Sequence, residues 1–288
     1  MNKRIFIVAF FAFLFLAGSV YAAIGITELR TEQLRNPLGI DVRQPRLGWR
    51  IESDEQNVMQ TAYHILVASS ADLLAQEKGD IWDSGKIESD ASQWIAYQGK
   101  PLKRNARYYW KVKVYTNRGE ADWSAPAFWS MGLLNEADWQ GQWIGLDRTT
   151  PGDSETQWSR LAARYLRKEF ALSKEVKRAT VHIAGMGLYE LFINGQRIGD
   201  QVLAPAPTDY RKTILYNTYD VTPQLRKENA IGVTLGNGRF YTMRQNYKPY
   251  KIPTFGYPKL RLNLIVEYMD GSKETIATNT SWKLTTEG

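Results

Sequence analysis

The segment that most constrains the fold is residues 187–200, in which a strand pattern leads directly into a tight turn. From Tyr189 to Ile193, large apolar side chains recur at alternate positions, which is the spacing of one face of a β-strand. Asn194 and Gly195 follow. This dipeptide readily supplies the two positive φ angles of a type I′ turn, so we predict a β-hairpin here.

The same alternation recurs along most of the chain. Between residues 24 and 134, short runs of this kind are separated by turn sequences such as Asn117-Arg-Gly119. A unit of about 110 residues with a core tryptophan, which we place at Trp110, and no cysteine pair indicates a fibronectin III-like or immunoglobulin-like sandwich. The later strands, without any βαβ repeat, indicate a second β-sandwich of jelly-roll, galactose-binding-like type. The predicted fold class is therefore all-β.

The first 22 residues have the pattern of a secretory signal peptide. Lys3 and Arg4 precede an apolar run from Ile5 to Ala17, and Ala22 completes a small-x-small cleavage pattern. This run is short for a membrane span, which takes roughly 20 apolar residues. We predict a secreted or periplasmic protein with no membrane contact after cleavage. Its predicted parts are residues 1–22 (signal peptide), 23–135 (fibronectin III/Ig-like domain) and 136–288 (jelly-roll domain, truncated at its C-terminal end).

The composition excludes several classes of protein. The 288 residues contain no cysteine, so disulfides and thiolate metal sites are excluded. The formal net charge is +7, but the basic residues are scattered singly, without the dense stripe of a nucleic-acid-binding surface. We therefore predict no nucleic-acid partner, while attraction to an acidic polysaccharide stays open.

Polar and aromatic residues cluster around and after the hairpin, in a composition that can hydrogen-bond to and stack on a hydroxyl-rich ligand. Loops on rigid sandwiches often carry recognition. Asp is also a common turn residue and Asn194 precedes a glycine, so turn formation is the alternative role for several of them. The predicted carbohydrate-binding residues are Asn194, Asp200, Asp209, Tyr210, Asn237 and Tyr241.

The residues give little support for catalysis or for a resident metal. Glycoside hydrolysis needs two carboxyl groups roughly 5–10 Å apart, and a chain with 30 acidic residues supplies such pairs by chance. The two histidines, His64 and His182, are far apart on predicted strands, which argues against a histidine metal site. We predict no catalytic residues and no metal ligands. Calcium stays open as a cofactor, because it needs only oxygen ligands.

Short motifs along nearly the whole chain resemble one family. The motifs are Trp82-Asp-Ser-Gly85 and Tyr109-Trp110-Lys-Val112 in the first unit, and Ile193-Asn-Gly195, Thr208-Asp-Tyr210, Thr218-Tyr-Asp-Val221 and Leu235-Gly-Asn-Gly238 in the second. In this order they resemble the fibronectin-like and N-terminal jelly-roll domains of bacterial α-L-rhamnosidases of the glycoside hydrolase family 78 type. Two departures are Arg239-Phe240-Tyr241, where the family usually has a Trp-Tyr pair, and residues 204–207, which lack a tryptophan that the family commonly shows.

The resemblance implies a function for this region. In that family a later (α/α)6 barrel carries the general acid and base, and we expect this chain to stop before it. The jelly roll is associated with sugar recognition, in some members with a calcium ion. The resemblance thus implies the non-catalytic N-terminal part of an exported α-L-rhamnosidase, an enzyme that hydrolyses terminal α-L-rhamnose. The implied partners are a rhamnose-containing carbohydrate and the catalytic barrel of the same or a neighbouring gene.

Three alternatives remain at this stage. The chain could be a stand-alone, lectin-like module that binds rhamnose. It could be a structural half that docks a separately encoded catalytic domain, which would leave an exposed apolar patch on the jelly roll. It could also be a truncated gene model or the product of a pseudogene.

Overall fold

A computed structural model of the chain describes residues 24–150, 153, 161–241 and 255–287. Over these residues, the chain folds into antiparallel β-sheets with little helix, as the alternation predicts. The predicted signal peptide, residues 1–22, lies outside the described residues. No helix within the described part is both long enough and apolar enough to cross a bilayer.

The first unit is a β-sandwich. Its elements are β1 (Gly25–Thr31), β2 (Arg46–Glu52), β3 (Gln60–Ala68), α1 (Ala71–Ala75), β4 (Trp82–Glu88), β5 (Ile95–Ala96), β6 (Arg107–Thr116), β7 (Gly119–Glu120) and β8 (Ala127–Ser130). One sheet has the order β1-β2-β5, and the other has the order β4-β3-β6-β7 with β8 paired to β6.

Trp110, in β6, lies in the core of this unit. It is fully buried, as predicted, and so are Val112 and Val114 at the next alternate positions. Side chains two residues apart in a strand share one face, so this face of β6 builds the core. No residue of this core belongs to the core of the second unit, which means that each unit buries its own apolar side chains.

The second unit is also built from two antiparallel sheets. Its elements are a 3₁₀ helix (Glu136–Asp138), β9 (Ile144–Gly145), β10 (Arg164–Ala171), β11 (Val176–Met186), β12 (Leu188–Ile193), β13 (Gln196–Ile198), β14 (Tyr216–Asp220), a second 3₁₀ helix (Thr222–Gln224), β15 (Glu228–Gly236), β16 (Lys259–Tyr268), β17 (Lys273–Ala277) and β18 (Lys283–Thr285). What we call the β15 sheet has the order β13-β12-β15-β10-β18. The β16 sheet has the order β14-β11-β16-β17, with β9 paired to β16.

The two sheets of this unit share one core. Tyr189 and Val233 of the β15 sheet belong to the same buried cluster as Val181 of the β16 sheet. The predicted hairpin joins β12 to β13, with positive φ angles of 51° at Asn194 and 80° at Gly195. The turn chemistry read from the sequence is therefore confirmed.

The two units meet along a buried polar seam. The hydroxyl of Tyr216, in β14, accepts a hydrogen bond from the Leu133 N–H at 3.1 Å. A Cβ placed on Gly132 would lie 2.1 Å from that hydroxyl oxygen, so only glycine leaves room for it. Nearby, Arg107 and Asp220 form an ion pair between the units at 2.7 Å.

His182 of β11 lies in the same seam. Its Nε2 is 3.0 Å from Oδ1 of Asn105 in the first unit, and its Nδ1 is 3.0 Å from Oγ1 of Thr218. Arg178 adds a 2.7 Å hydrogen bond to the Asn105 carbonyl oxygen. The sequence placed His182 on a strand, which is correct, but gave no sign of its partner in the other unit.

Candidate carbohydrate-binding cleft

A cleft lined by aromatic rings opens on the outer side of the β16 sheet, and we call it the aromatic cleft. Tyr216, Ala184 and Arg261 are cross-strand neighbours on its floor. Trp139 and Trp143 line it from the segment that leads into β9. Its volume is about 260 Å³. This is just below the range of about 300–1,000 Å³ that is common for small-molecule sites, so the cleft has room for no more than about one sugar ring.

Arg261 joins the two tryptophans. Its guanidinium carbon lies 5.2 Å from the centroid of the Trp139 ring and 6.0 Å from that of Trp143, the range of cation–π contacts. Its Nε donates a 2.6 Å hydrogen bond to the Gly141 carbonyl oxygen, and its terminal nitrogen pairs with the Glu136 carboxylate. These contacts fix the guanidinium at the cleft wall, where its other N–H groups can donate to ligand hydroxyls.

Tyr216 holds a fixed position on the cleft floor. Its ring packs edge-on against Trp139, with centroids 5.4 Å apart and an interplanar angle of 90°. Burial raises the pKa of the Tyr216 hydroxyl, and the hydrogen bond from the Leu133 N–H opposes that shift. The hydroxyl therefore stays protonated at neutral pH and holds the ring in place.

Asp209, one of the predicted residues, lies at the cleft rim and mainly builds a turn. Its carbonyl oxygen accepts hydrogen bonds from the N–H groups of Lys212 and Thr213, at 2.8 and 3.0 Å. Its carboxylate accepts a 3.0 Å hydrogen bond from Nε of Arg211, which lowers the pKa of Asp209. The carboxylate is thus ionised and paired at neutral pH, while Arg211 itself lines the cleft.

Tyr210 lines the cleft directly. Its ring packs edge-on against Phe240 and Phe255, with centroids 5.2 and 5.4 Å away. Its hydroxyl oxygen is buried and has no hydrogen-bond partner among the residues that the structure describes. Burial raises the pKa of this hydroxyl. Buried polar atoms without partners are uncommon, and because this oxygen is shielded from solvent, Tyr210 offers the cleft its ring rather than its hydroxyl group.

Asn237 and Tyr241 lie in the turn after β15. The Asn237 amide nitrogen donates a 3.3 Å hydrogen bond to the Leu161 carbonyl oxygen, and its buried Oδ1 has no partner within the described part of the chain. The Tyr241 ring stacks on Tyr257 at 5.8 Å. Phe240, in the same turn, contacts Tyr210, so the structure brings these two residues to the end of the unit where Tyr210 lies.

Asn194 lies elsewhere. It flanks the opposite end of β15, about 20 Å away along the strand. Its Nδ2 donates to the Gln224 carbonyl oxygen at 2.8 Å and to Asn229 Oδ1 at 3.0 Å, while its Oδ1 accepts from the Ala230 N–H at 2.9 Å. The polar atoms of the Asn194 side chain are therefore used in hydrogen bonds that hold the hairpin turn in place. This is the turn-forming role considered above as the alternative to sugar binding.

Asp200 is exposed, does not line the aromatic cleft, and makes no hydrogen bond or ion pair with any described residue. Nor does any group of three or more carboxylate or imidazole side chains come together as a metal site in residues 24–150, 153, 161–241 and 255–287. Calcium therefore stays a prediction that rests on the resemblance alone.

Sequence patterns did not predict Trp139, Trp143 or Arg261 as site residues. The available signal was the pair of tryptophans around a glycine outside any strand pattern. Arg261 looked like the outward residue of an ordinary strand. Only the folded sheet places its guanidinium beside both indoles.

Two family descriptions match the chain in sequence. "Rha78A-like, N-terminal immunoglobulin domain" matches residues 26–135, and "Alpha-L-rhamnosidase N-terminal domain" matches residues 174–288. They fall on the first and second sandwiches, in that order.

Complete relatives give the same result. An α-L-rhamnosidase of Formosa agariphila is 40% identical over 271 residues, covering 87% of this chain and 28% of the relative. The structure of α-L-rhamnosidase from Dictyoglumus thermophilum superposes with a TM-score of 0.79 at 40% identity, covering 91% of this chain and 29% of that one. The chain thus spans less than a third of the length of these relatives.

A third similarity concerns the fold alone. The Streptomyces avermitilis α-L-rhamnosidase, described as complexed with L-rhamnose, superposes with a TM-score of 0.80 at 24% identity, covering 92% of this chain and 41% of that one. The two matched domains and the relatives at 40% identity agree, so the chain contains the N-terminal region of an α-L-rhamnosidase, made of the immunoglobulin-like domain and the N-terminal rhamnosidase domain.

Proposed function

We propose that this chain is the carbohydrate-recognising, non-catalytic N-terminal part of an exported α-L-rhamnosidase, and that the aromatic cleft binds a rhamnose-containing carbohydrate. The observation that carries the proposal is the arrangement of Trp139, Trp143, Tyr210 and Arg261 around one small cleft. In the whole protein, a separate catalytic barrel would hydrolyse terminal α-L-rhamnose.

The chemistry of the cleft matches that of a deoxy sugar. A pyranose has an apolar face of C–H groups, and L-rhamnose adds a methyl group, so indole rings offer it favourable contact area. Its hydroxyls need donors and acceptors, which the Arg261 guanidinium and the Glu136 carboxylate provide. The relative from Streptomyces avermitilis, described as a complex with L-rhamnose, supports this ligand class.

The proposal includes export. The basic start, the apolar run and the small-x-small pattern of residues 1–22 favour delivery outside the cytoplasm. Expression in a bacterial host with the leader intact, followed by N-terminal sequencing of the extracellular or periplasmic product, tests this part. A mature product that begins near Ala23 is expected, and retention of the whole leader in the cytoplasm would refute export.

Calorimetric titration of the purified chain with L-rhamnose tests the cleft. Trp143→Ala is expected to weaken binding about tenfold, because it removes one stacking surface. Trp94→Ala is the matched control, since Trp94 is 55% exposed in the first unit and also has a guanidinium, that of Arg46, 4.5 Å from its ring centroid. Absence of heat at millimolar sugar, or equal losses in both variants, would exclude the cleft.

Two further arms separate related hypotheses. The titration is repeated with calcium and with a chelator, and a difference between the two would establish the cofactor that the resemblance implies. Incubation with an aryl rhamnoside tests the non-catalytic assignment, because release of rhamnose by this chain would contradict it.

A further inference from the structure

A second concave surface lies on the β15 sheet, on the opposite side of the sandwich from the aromatic cleft. It is a groove of about 630 Å³ over the outward face of that sheet, and we call it the sheet groove. Along β10 and β15, odd and even positions alternate between core and surface, so the groove is lined by one outward-facing set of side chains.

Strand register arranges these side chains in two rows. In the first row, Phe192, Gly232, Arg167 and Lys283 are consecutive cross-strand neighbours. With strands about 4.8 Å apart, this row spans about 14 Å, which is longer than one pyranose ring. The parallel row contains Glu190, Thr234, Tyr165 and Thr285. The Glu190 carboxylate, at the end of this row, pairs with Arg197 at 3.3 Å. Over its two rows, the groove therefore combines two aromatic rings, two hydroxyls and two cations.

Gly232 at the centre of the groove has no role in the fold that requires glycine. Its φ angle is not positive, and among the described residues a Cβ built there would meet only the Phe192 Cβ, at 3.9 Å. Glycine inside a strand is destabilising relative to alanine, because it loses more backbone freedom on folding. A glycine that internal packing does not demand often marks a place where another molecule approaches the backbone closely.

The charge of the groove favours an anion. Arg167 and Lys283 line it, and no Asp or Glu is among its lining residues. Glu169 pairs with Arg167, but both side chains are more than 60% exposed. Solvent-exposed ion pairs contribute little to stability, so a ligand carboxylate can replace Glu169. The excess of basic over acidic residues, which persists without Lys3 and Arg4 of the leader, acts in the same direction.

We propose that the sheet groove binds an extended anionic polysaccharide, of the uronic-acid class. Its pyranose rings lie over Gly232 between the Phe192 and Tyr165 rings, and its carboxylates face Arg167 and Lys283. This site is separate from the aromatic cleft. It would hold the polymer that carries the substrate while the cleft binds individual rhamnose units.

The test is a titration of the purified chain with tetragalacturonic acid and with its methyl ester, which keeps the rings but removes the charge. The acid is expected to bind at least about fivefold more tightly than the ester, and salt is expected to weaken only the acid. The double variant Arg167→Gln/Lys283→Gln is expected to weaken binding of the acid about tenfold, through loss of two exposed charge contacts.

Two variants serve as a groove block and a control. Gly232→Val fills the floor and is expected to remove binding while the thermal unfolding midpoint is kept, because no neighbour lies closer than 3.9 Å to the new Cβ. Lys177→Gln removes an exposed cation from the other sheet and is expected to leave the affinity unchanged.

Equal affinity for acid and ester, unchanged affinity in the double variant, or no binding at millimolar acid would each overturn the proposal. Concentration-dependent self-association abolished by Gly232→Val, without binding of the acid, would instead identify the groove as a protein-docking face and also overturn it. The L-rhamnose titration reports on the aromatic cleft, so its failure and the failure of this inference are distinguishable.

Discussion

At the scale of single residues, the most demanding contact is the ion pair between Arg164 and Asp153. The two side chains are 1% and 0% exposed, and their nearest atoms are 3.0 Å apart. The N–H groups of Ala162 and Thr150 also donate to the carboxylate. Burial alone would raise the pKa of Asp153, but the Arg164 guanidinium and the N–H donors outweigh it and lower the pKa to about 2.

Removal of Asp153 is therefore expected to be costly. Asp153→Ala leaves a buried guanidinium uncompensated and should lower the free energy of unfolding by about 3–5 kcal/mol, measured by urea denaturation at pH 7. Glu169→Ala, which breaks the exposed pair with Arg167, should cost less than about 1 kcal/mol. Equal losses of unfolding free energy in the two variants would show that the buried pair stabilises the fold no more than the exposed pair does.

The same pair predicts a loss of stability in acid. In the unfolded chain, Asp titrates near pH 3.9, above the folded value of about 2. The unfolded state therefore binds the proton first, and this stabilisation is present above about pH 4 and is lost as the pH falls toward 2. Asp153→Ala should flatten the stability profile in that window, and an unchanged slope would refute the assignment.

At the scale of elements, His182 connects β11 to the first unit. Burial, and then the charge of Arg178, lower the pKa of His182 to about 4. Because an unfolded His titrates near pH 6.5, the unfolded state takes up the proton first between pH 6.5 and 4. Stability should fall across that window, by on the order of 3 kcal/mol. Urea denaturation at pH 7.0, 5.5 and 4.5 should show this slope, and His182→Gln should remove it.

At the scale of the whole molecule, two separate cores are coupled by the seam at Gly132. Gly132→Val would push a side chain into the Tyr216 hydroxyl, 2.1 Å from the Cβ position, and overpacking of this kind costs about 1–3 kcal/mol. We expect tryptophan fluorescence and far-UV circular dichroism to give one urea transition for the wild type and two non-coincident transitions for the variant. Gly232→Val, at an open site, should keep the single transition. Coincident transitions in Gly132→Val would show that the seam does not couple the units.

The strands, the hairpin and the resemblance to α-L-rhamnosidases could all be predicted from the amino-acid sequence alone. Alternation placed Trp110 and Tyr189 in the core, and Asn194-Gly195 fixed the turn, because side-chain period and backbone φ preferences are local properties of a few consecutive residues. The rhamnosidase motifs were readable for the same reason, since each is a short run at its own turn or strand.

The seam, the aromatic cleft and the sheet groove could not be predicted in this way, because each forms only in the folded tertiary structure. His182 and Asn105 are 77 residues apart in the chain, and Arg261 reaches Trp139 from a different element. The row from Phe192 to Lys283 crosses four strands in a register that no single strand specifies. Such sites form where outward-facing side chains of separate strands become neighbours, and that depends on pairing and packing rather than on local pattern.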